Sequence, residues 1–202
     1  SYSGLDGSGI GIAVLDSGVM REHEAFNNAS AATRVAKNVT MLGNSQANWT
    51  TGQDLTSSPQ PGSATQNTYD SQTANDNNTT HDAYGHGTHV ASVAAGRPVT
   101  YSTAPDLTGM APGASIIDVK VLGADGAGTL SDTLEGIQWA IYNAKAYNIR
   151  VLNLSLAANS TDSWQLDPLC AAVRSATAAG ITVVVAAGNY GKDAVGNHVY
   201  GS

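Results

Sequence analysis

GHGTHVA, residues 85–91, opens a run of small and apolar residues that continues to Gly96. This composition, rich in Ala and Val, predicts a buried helix from His86 to Gly96 that ends at the glycine. Few helices have a structural reason to begin with a histidine between two glycines. We therefore predict that His86 is a functional residue rather than a core histidine.

The segments on either side of this helix alternate between strand and helix patterns. Short apolar runs rich in β-branched residues are typical of buried strands, and apolar residues that recur three and four positions apart are typical of helices. Their alternation predicts an α/β fold, a doubly wound and mainly parallel sheet with helices on both faces, whose functional groups lie at the carboxyl ends of the strands. The predicted strands are Ile10–Leu15, Ser115–Leu122, Val151–Leu156 and Ile181–Ala187, and the predicted helices are His86–Gly96, Leu130–Tyr147 and Pro168–Ala179.

Two further motifs begin in predicted strands and run past their ends, AVLDSG at 13–18 and AAGN at 186–189. Together with GHGTHVA, and in this order, they resemble the subtilisin-like serine proteases, the subtilase or peptidase S8 family. The resemblance covers nearly the whole chain except a polar segment at about 44–80, which is predicted to be a surface insert. It identifies residues 1–202 as the N-terminal two-thirds of a single catalytic domain. The resemblance continues through Gly109–Ala114, Val119–Leu122, Gly126–Gly128 and Asn153–Leu156.

The resemblance implies roles for three residues. A serine hydroxyl is a weak nucleophile at neutral pH, so it needs an imidazole to take its proton and a buried carboxylate to orient that imidazole. By their positions in the motifs, Asp16 is the orienting carboxylate and His86 the general base. Asn189 matches the residue of the oxyanion hole, whose side-chain amide donates to the tetrahedral intermediate.

The nucleophilic serine of the family lies in a Gly-Thr-Ser-Met-Ala type of segment, and these residues contain no such segment. The resemblance therefore implies that the serine and the rest of the domain lie on a following segment or a second chain. We expect the fold to be incomplete in this chain, the apolar faces of Val183–Ala187 to be exposed, and the chain to be inactive by itself. The expected activity is that of a serine endopeptidase. The alternative is an inactive subtilase-like scaffold that binds peptides or a partner.

The resemblance also identifies two substrate-binding segments. Gly126-Ala127-Gly128 resembles the edge segment that pairs with an extended peptide, and Ser155-Leu156-Ala157 resembles the opposing segment beside the primary specificity pocket. Both would bind a polypeptide substrate by adding a strand to its backbone.

The sequence contains residues that could suggest zinc or calcium. His86 and His89, preceded by His81 and Asp82, suggest zinc, but the His-Glu-x-x-His spacing is absent and we assign no zinc to them. The resemblance requires no cofactor for the chemistry and leaves structural calcium open, with ligands that the sequence does not identify. A cluster in the polar insert is predicted to be a solvated loop rather than a calcium site; its members are Asp70, Asp76, Asn77 and Asn78.

Composition limits the partners. A net charge of −7 with only nine Lys and Arg argues against nucleic acid. A nucleotide-binding protein would need a Gly-x-Gly-x-x-Gly or phosphate loop, and none is present. The apolar runs are much shorter than the roughly 20 residues that span a bilayer, so no membrane partner is expected. Cys170 alone cannot form an internal disulfide.

The start of the chain bears on its location. Ser1 is not followed by a basic and then an apolar stretch, so we expect a mature form from which the signal peptide and pro-segment are absent. The resemblance implies a secreted, extracellular protease that is made as a zymogen with a pro-segment.

Overall fold

The structure, a computed structural model, describes residues 4–43, 81–97, 108–158, 163–189 and 191–197. The described residues form a five-stranded sheet in the order β2-β3-β1-β4-β5, and all neighbouring strands are parallel. The elements in chain order are β1 (Gly11–Asp16), a short 3-10 helix (Glu24–Phe26), β2 (Val35–Thr40), α1 (His86–Ala95), β3 (Ser115–Lys120), α2 (Leu130–Asn143), β4 (Ile149–Leu154), α3 (Pro168–Ala178) and β5 (Thr182–Val185).

Helices cover both faces of the sheet, which confirms the predicted fold class. Successive side chains of a strand point to opposite faces, and β1 is buried along its whole length. Ile12 and Val14 pack in one apolar cluster with the alanines of α1. Ala13 and Leu15 pack in a second cluster with buried residues of α2 and α3. The central strand is therefore held between two cores, and its carboxyl end has a fixed position.

Strand β2 was not among the predicted strands, because its sequence VAKNVT contains Lys37 and Asn38 and lacks a continuous apolar run. Asn38 is nevertheless buried, with 4% of its surface exposed. Its amide donates to Asp118 Oδ2 at 2.7 Å and to the carbonyl of Val19 at 3.1 Å. These hydrogen bonds pair the amide nitrogen of the buried side chain inside the sheet, so the strand forms without an apolar pattern.

The predicted bounds of α2 and β4 are wrong for identifiable reasons. Helix α2 ends at Asn143 rather than at Tyr147, and the chain then turns through Asn148, whose φ of 47° is left-handed, to enter β4. Strand β4 begins at Ile149 and ends at Leu154, where its pairing with Leu15 of β1 also ends. Residues 155–157 therefore follow the end of the strand and do not pair with β1. The polar insert at 44–80 lies outside the described residues.

Strand β5 lies at the edge of the described sheet. Within the described ranges it pairs only with β4. Val184 and Val185 are 49% and 51% exposed, in contrast to the fully buried valines of β1 and β3. The expected exposure of the apolar residues near 183–187 is thus present in the structure.

Candidate active site

Asp16 and His86 lie in contact, although 70 residues separate them in the chain. Asp16 is the last residue of β1 and is completely buried, and His86 is the first residue of α1. The His86 Nδ1 atom lies 2.9 Å from Asp16 Oδ1 and 3.0 Å from Oδ2, and the Ser17 amide donates to Oδ1 at 2.7 Å. The His86 side chain is 44% exposed, so one side of the ring contacts the carboxylate while part of the ring is accessible to solvent.

Gly87 brings the GHGTHVA motif into van der Waals contact with the AVLDSG motif, and Gly18 leaves room for the segment just before the helix. A Cβ on Gly87 would overlap the carbonyl of Gly18 and lie 3.0 Å from the Cβ of Asp16. Gly18 has a φ of 116°, and a Cβ there would overlap the carbonyl of His81. Only glycine lets the first turn of α1 lie directly on the end of β1. The close approach explains the glycine that follows His86.

Asp82 holds the same two motifs together by hydrogen bonds. Asp82 is only 5% exposed. Its Oδ1 atom accepts hydrogen bonds from Ser17 Oγ and from the Gly85 amide, both at 2.8 Å. On Oδ2 it accepts from the Thr88 amide at 2.8 Å and the Thr88 hydroxyl at 2.6 Å. Burial raises the pKa of Asp82, but its hydrogen bonds, led by those from Thr88, outweigh burial and hold the pKa below the ordinary value of an aspartate. The sequence indicated Asp82 only as a rejected zinc ligand.

A cleft of about 850 Å³ opens beside His86. Both predicted substrate segments, 126–128 and 155–157, line it, and Asn189 also lines it. Tyr84, which the sequence did not single out, is 52% exposed and lies over Gly126, where an added Cβ would be 2.5 Å from the ring. The structure thus brings every predicted site residue to this cleft except Asp16, which lies behind His86.

Asn189 lies in an exposed position after β5. A smaller recess of about 290 Å³ joins it to residues 155–157, and Ala186 and Gly188 complete the lining. Gly188 has a φ of 83°, so the turn that presents Asn189 uses a left-handed conformation that favours glycine. The amide of Asn189 therefore borders the cleft on the side where the segment 155–157 ends.

Two of the candidate metal residues, His81 and Asp82, contact other side chains or backbone amides. His81 Nε2 lies 3.5 Å from Glu22 Oε1, and the carboxylate of Asp82 is saturated by its four hydrogen bonds. Among the residues that the structure describes, no group of three or more His, Cys, Asp or Glu could hold a metal ion. The cluster formed by Asp70, Asp76, Asn77 and Asn78 lies outside the described residues.

No helix in the described ranges is long and apolar enough to cross a membrane.

Comparison with known proteins agrees with this geometry. The chain is 43% identical to the serine protease AprX of Bacillus subtilis over 118 residues. This aligned stretch is 56% of this chain and 26% of that protein. It is 33% identical to subtilisin BL of Lederbergia lenta over 192 residues, 95% of this chain and 52% of that protein. The chain therefore spans about half or less of the length of these relatives.

Solved structures show the same fold. Sphericase superimposes with a TM-score of 0.63 at 28% identity, over 93% of this chain and 48% of that one. The CspB protease of Clostridium perfringens superimposes with a TM-score of 0.69 at 26% identity, over 95% of this chain and 38% of that one. The subtilase family matches residues 7–202. The chain belongs to the subtilase family, peptidase S8.

Proposed function

We propose that this chain supplies the acid, base and oxyanion groups of a subtilisin-type serine endopeptidase. The observation that carries the proposal is the contact of His86 Nδ1 with the buried carboxylate of Asp16 at 2.9 Å, beside a cleft that Asn189 also lines. The nucleophilic serine is proposed to come from the rest of the catalytic domain, on a following segment or a second chain, so the chain alone is inactive.

Proton transfer in this proposal follows from the geometry of the pair. Donation from Nδ1–H to Asp16 leaves Nε2 of His86 unprotonated and able to accept the proton of the serine hydroxyl as it attacks the peptide carbonyl. The carboxylate of Asp16 then stabilises the imidazolium. When the tetrahedral intermediate collapses, Nε2 returns the proton to the leaving amine. Water repeats the sequence on the acyl-enzyme and releases the acid product.

Substrate binding uses the two walls of the cleft. An extended polypeptide would lie between Gly126-Ala127-Gly128 and Ser155-Leu156-Ala157 and form main-chain hydrogen bonds with both segments. This position brings the scissile carbonyl between His86 and Asn189, whose side-chain amide would donate to the oxyanion. Tyr84 would border the bound peptide on the side of residues 126–128, because its ring lies against Gly126.

The setting of the reaction is also part of the proposal. Family membership supports a secreted enzyme that is made with a pro-segment and acts outside the cell on polypeptides. No cofactor takes part in the proposed chemistry, and structural calcium is left open.

A fluorophosphonate probe tests the proposal. The probe reacts covalently with activated serines, so the purified protein, with every chain that accompanies residues 1–202, would be treated and analysed by intact-mass and peptide mass spectrometry. We expect one label, on a serine outside these residues, together with hydrolysis of a casein substrate. Absence of both label and hydrolysis in a sample that contains the whole domain would contradict the proposal.

That negative outcome would favour the second candidate, a scaffold that binds peptides without cleaving them. The cleft that residues 126–128 and 155–157 line would serve such binding. Peptide binding in the unlabelled protein, measured by calorimetry, would then support the scaffold.

A further inference from the structure

Asp82 is a buried charged residue next to the Asp16–His86 pair. Only 5% of this residue is exposed, its carboxylate accepts four hydrogen bonds, and it has no place in the proposed proton transfer. It does not line the cleft. A buried carboxylate is costly unless every acceptor position is used, so its presence here calls for an explanation.

The helix cap supplies the first part of that explanation. Helix α1 begins at His86, and the residue before it, Gly85, has no side chain with which to cap the first turn. Asp82 replaces that cap from outside the helix by accepting from the amide of Thr88. The Gly87 amide donates to Ser17 Oγ at 3.0 Å, and this hydroxyl donates in turn to Asp82. The first turn of α1, which carries His86, is therefore fixed by Asp82 both directly and through Ser17.

The loop after β1 is tied to the same carboxylate. Ser17, the residue next to Asp16, donates its hydroxyl to Asp82 Oδ1. Further along the loop, the Met20 amide donates to the Thr88 hydroxyl at 3.0 Å, and that hydroxyl donates to Asp82 Oδ2. Two hydrogen bonds thus cross directly from the Asp16 loop to the His86 helix, one through the Ser17 hydroxyl and one through the Thr88 hydroxyl. Asp82 accepts from both hydroxyls and so orients both crossings.

We propose that Asp82 is a positioning residue that fixes the geometry of the Asp16–His86 pair through the bridges formed by Ser17 and Thr88. The inference rests on the proposed function for its effect on catalysis. Asp82 touches neither the substrate cleft nor the reacting atoms, so its effect is on the alignment of His86 and not on peptide binding.

Asp82→Asn is the most direct test because it keeps the volume of the side chain. Each carboxylate oxygen accepts from a backbone amide, Gly85 on one side and Thr88 on the other, and a backbone amide cannot reverse its direction. The NH2 group of asparagine must therefore face one of these donors. Because small displacements of catalytic groups are costly, we expect kcat to fall by about 10- to 100-fold. KM should stay within about twofold, since substrate contacts are unchanged.

Thr88 provides a milder, matched pair of variants in case Asp82→Asn does not fold. Thr88→Val removes the hydroxyl and one bridge at nearly constant volume, whereas Thr88→Ser retains the hydroxyl. We expect Thr88→Val to lower kcat and Thr88→Ser to restore most of it. Asn28→Ala is the control for loss of hydrogen bonds elsewhere, because Asn28 accepts from the Ser30 and Ala32 amides in a surface turn and does not contact Asp16 or His86.

The experiment combines steady-state kinetics of the active protein with the NMR resonance of the His86 Nδ1 proton. Asp82→Asn should lower kcat and shift or broaden that resonance, while Asn28→Ala changes neither. The proposal is overturned if Asp82→Asn and Thr88→Val keep kcat within about twofold of wild type with an unchanged His86 resonance. The proposal is also overturned if the fall in kcat of Asp82→Asn is fully explained by the fraction of that variant that is unfolded. Should the wild type neither hydrolyse nor label, the proposed function fails, whereas the resonance still tests the role of Asp82.

Discussion

The two sides of the cleft differ in how they are held. On the acid–base side, Asp16 is fully buried, and hydrogen bonds through Asp82 connect its loop to the helix of His86. On the oxyanion side, Asn189 follows an edge strand in which Val184 and Val185 are about half exposed. Contacts within the described residues therefore account for the position of the imidazole, but much less for that of the amide. The hydrogen bonds through Ser17, Asp82 and Thr88 that position Asp16 and His86 involve no residue of the side on which Asn189 lies.

Removal of the base should have the largest effect on activity. In the protein that includes the serine, His86→Ala should lower kcat by about 10⁴- to 10⁶-fold, a magnitude known from subtilisin itself and not obtained from this chain. The melting temperature should change little because the ring is 44% exposed. Hydrolysis of a chromogenic peptide and thermal unfolding would measure the two effects.

His89→Ala is the matched control on the same helix. Its side chain is exposed, and we expect activity within about threefold of wild type. If His86→Ala retained near-wild-type activity while His89→Ala lost it, the assignment of the base would be wrong.

Loss of the oxyanion donor should have a smaller effect. Asn189→Ala should lower kcat by about 10²- to 10³-fold with little change in KM, again the magnitude known from subtilisin. Because Asn189 is exposed, stability should be unaffected, as for His86→Ala, and the size of the fall in kcat distinguishes the two variants. Asn197→Ala, which removes an exposed hydrogen bond to Asp193, serves as the control. A loss of activity no greater for Asn189→Ala than for this control would remove Asn189 from the oxyanion hole.

The free energy of unfolding should respond more to a substitution in the buried strand β4 than to one in the edge strand β5. Leu152→Ala in β4 deletes a fully buried side chain and should lower the free energy of unfolding of this chain by about 2–5 kcal/mol. Val184→Ala in β5, at a side chain 49% exposed, should cost less than about 1 kcal/mol. Urea unfolding followed by circular dichroism measures both. Equal losses of unfolding free energy in the two variants would mean that the side chains of β5 are as buried as those of β4.

The sequence predicted the elements whose pattern is set by apolar burial. Strand β1 and helix α1 were predicted because their faces are filled by small and apolar side chains. Strand β2 was missed because Asn38 is stabilised inside the sheet by hydrogen bonds to groups distant in the sequence. Such partners are known only once the strands are in place, so no local pattern reveals them.

The same distinction applies to the site. The parallel-sheet rule and the motifs placed Asp16 at the carboxyl end of a strand, and the structure adds its contact with His86. The role of Asp82 was not predicted, because its partners come from two separate segments of the chain. One local signal existed: a carboxylate residue precedes a helix whose capping position, Gly85, carries no side chain.

The contact between Gly18 and Gly87 has a consequence for how such a site can change over time. Neither residue contributes a side chain to the proposed chemistry, yet Gly87 leaves room for the carbonyl of Gly18, and Gly18 leaves room for the carbonyl of His81. Alanine at Gly87 would force the helix away from the loop after β1, and alanine at Gly18 would force that loop away from the segment before the helix. The proposed acid–base pair therefore requires the lack of a Cβ at positions 18 and 87 as much as it requires the carboxylate and the imidazole. A variant chain could lose the Asp16–His86 contact while keeping both side chains.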